Sequence, residues 1–155
     1  MAGNVFSKDD LDRMLLEIKG KKLGEVDTRN VFDKTIQNSK ITGIAGDVIQ
    51  QSVLGCPADN EQRPDLCVDG VEIELKVTGV RQPNDEGVYE AKETMSITAV
   101  SVTSISREEF ESSNFWHKLA HMLIVYYKAF KEKKWISKYK EENGRYRVIG
   151  IKQKD

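Results

Sequence analysis

The sequence predicts an α/β protein, a mixed β-sheet flanked by α-helices, and three observations carry that expectation. Val71, Ile73, Leu75 and Val77 alternate with Glu72, Glu74 and Lys76, the two-residue period of a strand. Leu11, Met14, Leu15 and Ile18 fall at three- and four-residue spacing, the period of a helix with one apolar face. Segments of the two kinds interleave along the chain instead of falling into separate blocks, as α/β or α+β layering requires.

Each element has its own local justification. Ser7 is placed to cap the first helix, with Asp10 at its third position and Gly20 where a left-handed residue ends it. Lys19–Lys22 with Leu23 and Gly24 read as a polar, basic turn. Gly43-x-x-Gly46 opens a helix expected from Asp47 to about Leu54. It lacks the Gly-Lys-Ser/Thr ending of a P-loop and the third glycine of a dinucleotide fingerprint, so close helix packing explains the two glycines as well. Leu66-Cys67-Val68 is a short strand, and Asp69-Gly70 is a two-residue hairpin turn into the alternating strand. Thr94 to Val102 alternates again and is expected to be a strand. Residues from Phe115 to about His121 read as helix, and Met122–Tyr127 and Arg145–Lys152 as strands.

Composition narrows the function classes. The chain has 155 residues, 39% hydrophobic and 32% charged, with three prolines and eleven glycines, which excludes collagen, low-complexity disorder and a membrane-embedded protein. The longest apolar run, Met122–Tyr127, is far short of a membrane span, and no apolar signal region follows Met1, so a soluble cytoplasmic protein is expected. Cys56 and Cys67 are the only cysteines, too few for a zinc site of their own. The net charge of −1 conceals a split: residues 1–114 carry 13 basic and 21 acidic side chains, and residues 115–155 carry 11 and 4. A basic tail on an acidic body suits a nucleic-acid or membrane partner and equally a solvated surface.

The chemistry concentrates around the hairpin. A tight turn at Asp69-Gly70 folds Asp65 back toward Glu74 and Lys76. Two carboxylates brought together repel unless a cation separates them. Mg²⁺ takes oxygen ligands at about 2.0–2.1 Å, keeps several waters and is usually held by one or two carboxylates plus substrate phosphates. The carbonyl of Leu75, between the two polar residues, can supply a further oxygen, and Lys76 on the same face can orient water or neutralise a phosphate. The same alternation also describes a solvated strand face whose Glu and Lys merely pair. Pro64-Asp65, eight residues, then Glu74-x-Lys76 is the PD-(D/E)xK signature of metal-dependent nucleases.

Three blocks in order, spanning about Lys19 to Tyr127, resemble the MutH-type endonucleases, the mismatch-repair nicking enzyme and its GATC-cutting type II restriction relatives. They are Gly43-Ile44-Ala45-Gly46-Asp47-Val48-Ile49-Gln50 ending in Val53-Leu54-Gly55; Pro64-Asp65 with Gly70-Val71-Glu72-Ile73-Glu74-Leu75-Lys76-Val77-Thr78; and Ser113-Asn114-Phe115-Trp116-His117-Lys118-Leu119 followed by Leu123. The resemblance implies a restriction-endonuclease-like fold. It implies Mg²⁺ held by Asp65, Glu74 and the Leu75 carbonyl, with Lys76 as catalytic lysine and Lys118 as a second lysine near the scissile phosphate. Two positions depart from the family pattern. Gln50 stands where the family has a helix glutamate, so a second metal would be held less tightly. Glu72-Ile73 is inserted before Glu74-Leu75-Lys76, leaving Glu72 as a competing ligand, although the continuity of Glu-Leu-Lys favours Glu74.

The expectation is therefore a Mg²⁺-dependent type II restriction endonuclease domain occupying residues 1–155, part of a longer protein because family members are longer. Its partner would be double-stranded DNA, possible targets including GATC, with further domains of the same chain or a second copy completing recognition. Candidate catalytic residues are Asp65, Glu74, Lys76, Lys118 and Gln50. Candidate DNA contacts are Lys40, Lys118, Lys131, Lys133 and Lys134, with Lys138, Lys140, Arg145 and Arg147 extending a positive edge. His117 and His121 are four apart but lack a third zinc ligand, and they read as helix surface. Trp116, Tyr126, Tyr127, Phe130 and Trp135 read as core and strand packing before base stacking. A mismatch-repair nicking enzyme, a non-catalytic DNA-binding module and an unrelated α/β chain with an accidental motif remain as alternatives. The last requires that Asp65, Glu74 and Lys76 do not converge.

Overall fold

The computed structural model of the chain describes residues 4–37, 43–58, 64–82, 88–99, 101–128 and 147–154. Strand β1 (Val5–Phe6) leads into helix α1 (Lys8–Ile18). The Ser7 hydroxyl accepts the Asp10 amide at 3.1 Å and donates to the Asp10 carboxylate at 2.8 Å, which satisfies the free end of the helix as the sequence requires. Leu11, Leu15 and Ile18 are its buried stripe, and Gly20, at φ +81°, turns the chain away.

Leu23–Val26 forms a further short helix, α2, where the sequence suggested only a polar turn. Its two buried side chains, Leu23 and Val26, supply the apolar contact that a solvated turn would lack. A 3₁₀ turn at Val31–Asp33 and helix α3 (Lys34–Gln37) follow.

The glycine-led helix starts three residues earlier than expected and is wound differently. Helix α4 (Ile44–Asp47) begins after Gly43 at φ +77°, and Val48–Val53 continues it as a π-helix. Residue type gives no cue to the wider winding, which carries Val48 and Ile49 fully into the core.

Strands β2 (Leu66–Val68) and β3 (Val71–Arg81) form the expected hairpin, with Asp69 at φ +47° and Gly70 at φ +82° in the turn. Strand β4 (Glu90–Ala91), helix α5 (Val102–Ile105), a 3₁₀ turn at Phe110–Ser112, helix α6 (Asn114–Ala120), and strands β5 (Met122–Lys128) and β6 (Arg147–Lys154) complete the order. The sheet runs β1-β2-β3-β5-β6, with β4 on the β2 side of β3. It is mixed: β1/β2 and β3/β5 are parallel, while β2/β3, β3/β4 and β5/β6 are antiparallel. Helices flank it, so the α/β architecture is as the alternation of patterns predicts.

One strand expectation is corrected. Residues 94–99 do not form a strand. The Lys92 amide still donates to the Gly79 carbonyl at 3.0 Å, but further along that edge of β3 the Leu75 amide is already given to the Asp65 carboxylate. An antiparallel neighbour there would find its partner taken. The alternative of a solvated strand face describes Glu72, which is exposed, but not Glu74. Ile73, Glu74 and Leu75 are all buried, because β3 is the central strand and α6 packs against it. The core joins α1, α2, α4 and its π-wound continuation to the sheet through Phe32, Val48, Ile49, Leu66, Leu123 and Val125. Among the described residues no helix is long and apolar enough to cross a membrane.

Candidate active site

Three elements deliver the charged residues to one place. The hairpin register pairs Leu66 with Ile73, so one step further Asp65 stands opposite Glu74. Asp65 is held at both ends: its carbonyl accepts from Asn4 Nδ2 at 3.0 Å, and its Oδ2 accepts the Leu75 backbone amide at 2.9 Å. Glu74 is the one charged side chain among the buried described residues, with 2% of its surface exposed. Such a carboxylate needs partners, since an unpaired buried charge costs several kcal/mol, roughly 3–5 when one partner is removed.

Two lysines provide them. Lys76, two residues on along β3, places Nζ 3.0 Å from Glu74 Oε1. Lys118 comes from α6 and places Nζ 3.2 Å from Oε1 and 3.3 Å from Oε2. The helix is seated for this contact from both ends. The Ser113 hydroxyl accepts the Trp116 amide at 3.1 Å and donates to the Phe110 carbonyl at 2.6 Å. At the other end His121 leaves helical geometry, and its carbonyl accepts the Glu74 amide at 3.0 Å. The backbone of Glu74 thus docks the end of the helix whose lysine meets its side chain.

Asp65 is less fully compensated. Burial pushes its carboxyl above the usual carboxylate range, and the negative charge of Glu74 pushes it further; the Leu75 amide, Lys118 and Lys76 pull it back. The Cys56 thiol is also pushed up, to about 11, chiefly by burial and then by Asp65, with Arg29 opposing. Cys56 therefore lies within the electrostatic reach of the site while itself fully buried.

Asp65, Glu74, Lys76 and Lys118 are brought together, and Leu75 sits between them with its amide on Asp65. Glu72 is exposed and lies opposite Cys67, near the turn, so the geometry separates it from Glu74. Gln50 is not drawn in by any hydrogen bond of its side chain, which donates to the Pro57 carbonyl at 3.4 Å. The adjacent amide behaves differently: Gln51 Nε2 is buried without a hydrogen-bond partner among the described residues. Gln50 and Gln51 are both half-buried and of one residue type, so nothing in the residue pattern singles out Gln51.

Other candidates separate clearly. Lys40, Lys131, Lys133, Lys134, Lys138, Lys140 and Arg145, with Phe130 and Trp135, lie outside the described residues. His117 and His121 are exposed, and no cluster of three or more His, Cys, Asp or Glu occurs among the described residues. Tyr127 is buried as expected, but Trp116 is not core: it is 38% exposed, its ring centroid 5.1 Å from that of Phe110. Capping by Ser113 starts α6 so that Lys118 meets the sheet, and the preceding turn is left at the surface.

The donor chemistry fits a hydrated divalent cation. Two neighbouring carboxylates, one of them destabilised by burial and by the other, are relieved by a cation between them, and Mg²⁺ needs no more than one or two carboxylates when water and phosphate complete its shell.

The model of the family described as DNA mismatch repair enzyme MutH matches residues 54–147, which include Asp65, Glu74, Lys76 and Lys118 and begin after Gln50. No curated protein matches the chain. The match covers more than half of the sequence and agrees with a mixed sheet flanked by helices, the restriction-endonuclease-like architecture. The chain belongs to the MutH family of DNA endonucleases.

Proposed function

We propose that this chain is the catalytic domain of a Mg²⁺-dependent type II restriction endonuclease, hydrolysing phosphodiester bonds of double-stranded DNA, with GATC as the first target to test. The observation that carries the reading is the convergence of Asp65 with a buried Glu74 bearing two lysines. Asp65, Glu74 and the Leu75 carbonyl would hold the metal. When bound, Mg²⁺ supplies a Lewis acid that eases deprotonation of water and offsets charge on the phosphate.

The chain's own residues do the rest. Lys76 and Lys118 present ammonium groups where a phosphate would gain negative charge, in a partly desolvated setting that strengthens their effect. Lys76 orients the attacking water, and Asp65, anchored by the Leu75 amide, holds its carboxylate without reorganisation. Attack of the water oxygen on phosphorus breaks the bond to the 3′ oxygen, which takes up a proton, and leaves a 5′ phosphate.

The family description favours a second reading, a mismatch-repair enzyme that nicks one strand. One experiment addresses both. A supercoiled GATC plasmid is incubated with wild type and with Asp65→Ala, with Mg²⁺ and with EDTA. Linear product that needs both Mg²⁺ and Asp65 supports the restriction reading, and product arrested at the nicked circle supports the repair reading. DNA binding by the full chain with no strand broken sinks the enzyme and leaves a binding module.

A further inference from the structure

A cleft of about 540 Å³ opens beside the candidate active site and shares Lys76 with it. Its other walls are the Gly43–Gly46 stretch, the segment 92–96 and Tyr127. The volume falls in the ordinary range for ligand sites, about 300–1,000 Å³. Its charged lining is Lys76, Lys92 and Glu93, a net positive set, and Thr94 and Ser96 add hydroxyls. That chemistry suits a phosphodiester backbone.

Lys92 is the residue with no assigned task. Lys76 and Lys118 are both engaged on Glu74, whereas no carboxylate pairs with Lys92 among the described residues. The stem of Lys92 is nevertheless held in place. Its amide donates to the Gly79 carbonyl at 3.0 Å, the last bond before the chain leaves the sheet. Gly79 is glycine for a packing reason: a Cβ there would stand 3.0 Å from Lys92 Cδ and 3.1 Å from the ring of the buried Tyr127. The lysine stem and the tyrosine ring fill the space that a side chain on β3 would take. A lysine whose stem is packed keeps its ammonium in a narrower region than a free surface lysine, so less entropy is lost on contact.

We propose that this cleft seats the DNA backbone next to the scissile phosphate and that Lys92 is the phosphate-binding residue within it. The inference rests on the nuclease reading, because the shared Lys76 is what links the cleft to the reacting phosphate. Duplex DNA carries one charge per roughly 3.4 Å of axis on each strand, so a strand with one phosphate at Lys76 presents others along the cleft.

The test is the salt dependence of binding to a duplex in EDTA, where nothing is cut, for wild type, Lys92→Ala and Lys92→Arg. Loss of one phosphate contact lowers the magnitude of the slope of log K against log salt by about 0.9 in Lys92→Ala, equally for GATC and scrambled duplexes. Lys92→Arg restores the slope, as a contact made by the charge on a packed stem requires. A Lys92→Ala slope equal to wild type overturns the proposal, whether or not wild type cuts DNA. A reduced slope in a chain that cuts nothing with Mg²⁺ keeps the phosphate seat and overturns the nuclease reading instead. Gly79→Ala, which crowds the same stem, shifts the slope in the same direction; an unchanged slope in a folded Gly79→Ala protein counts against the packing argument.

Discussion

Lys118 Nζ lies 3.2 Å from Glu74 Oε1, a contact between residues 44 apart in sequence that ties α6 to the central strand. Lys76 Nζ meets the same oxygen at 3.0 Å. Glu74, with 2% exposure, is thus compensated twice, and each lysine backs up the other. Lys76→Met or Lys118→Met alone leaves one ammonium on the carboxylate and lowers stability modestly. The double variant strands a buried charge, which costs roughly 3–5 kcal/mol. Urea unfolding of the two single variants and the double therefore shows a loss well beyond additivity. Adding Glu74→Gln to the double variant recovers most of it. Additive losses, or no recovery with Glu74→Gln, contradict this account of the pair.

On the proposed reading, charge would also govern how metal and DNA bind. Asp65 and Glu74 together bring two negative charges and Lys76 and Lys118 two positive ones, so the four side chains are close to neutral without DNA. A divalent cation gains little from such a site until a phosphate adds negative charge. Mg²⁺ alone is expected to raise Tm only slightly at millimolar concentration, following RT ln(1 + [L]/Kd). Ca²⁺ as a non-cleaving probe is expected to tighten duplex binding, and the duplex to tighten Ca²⁺ binding by the same factor. Asp65→Ala abolishes the coupling. Equal metal affinity with and without duplex, measured by calorimetry, refutes it.

These relationships differ in how far the sequence reveals them. The hairpin was legible because Asp69-Gly70 has room for positive φ, and a two-residue turn fixes which residue faces which. Asp65 opposite Glu74 follows directly. Lys118 was legible only through the family resemblance, since no local pattern says that a seven-residue helix will dock its end on the Glu74 amide. The burial of Glu74 was not legible at all. Period two distinguishes two faces of a strand, but whether the polar face meets water depends on what packs over it. Residues 94–99 failed for a related reason: their alternation is strand-like, yet the edge they would join is occupied by the Asp65 carboxylate. The π-wound stretch, in which the Gln51 amide nitrogen is buried, has no signature in residue type.

Asp65 stands in tension with stability. Its carboxyl is raised by burial and by Glu74, so its folded value lies above the unfolded one. The ionised form is then penalised in the folded state at every pH above the folded value, and the penalty is relieved as pH falls through that value. Asp65→Asn keeps an oxygen for the Leu75 amide and removes the charge. In EDTA at neutral pH the variant is expected to melt above wild type, each 1 kcal/mol being worth roughly 2–4 °C for a chain of this size, while cleavage is lost. The gap in Tm narrows on acidification. A variant that melts below wild type at neutral pH, or a gap that widens in acid, shows that Asp65 is not under electrostatic strain.

The two thiols should differ sharply in reactivity. Cys56 has no exposed surface, and its thiol is pushed up to about 11, first by burial and then by the Asp65 carboxylate. Thiolate is the reacting form, and at pH 8 a group with that value holds only about one part in a thousand of it. Cys67, on the short strand opposite Glu72, is partly exposed. Native protein mixed with a disulfide reagent at pH 8 is therefore expected to release one equivalent of thiolate quickly, and urea-unfolded protein two. Cys67→Ser removes the fast phase, and Cys56→Ser leaves it. Because Asp65 contributes to the suppression, Asp65→Asn raises the slow rate of Cys56 without touching the fast one. A Cys56 rate that ignores Asp65→Asn means that burial alone governs the thiol, and two fast equivalents from native protein mean that Cys56 is not sealed in the core.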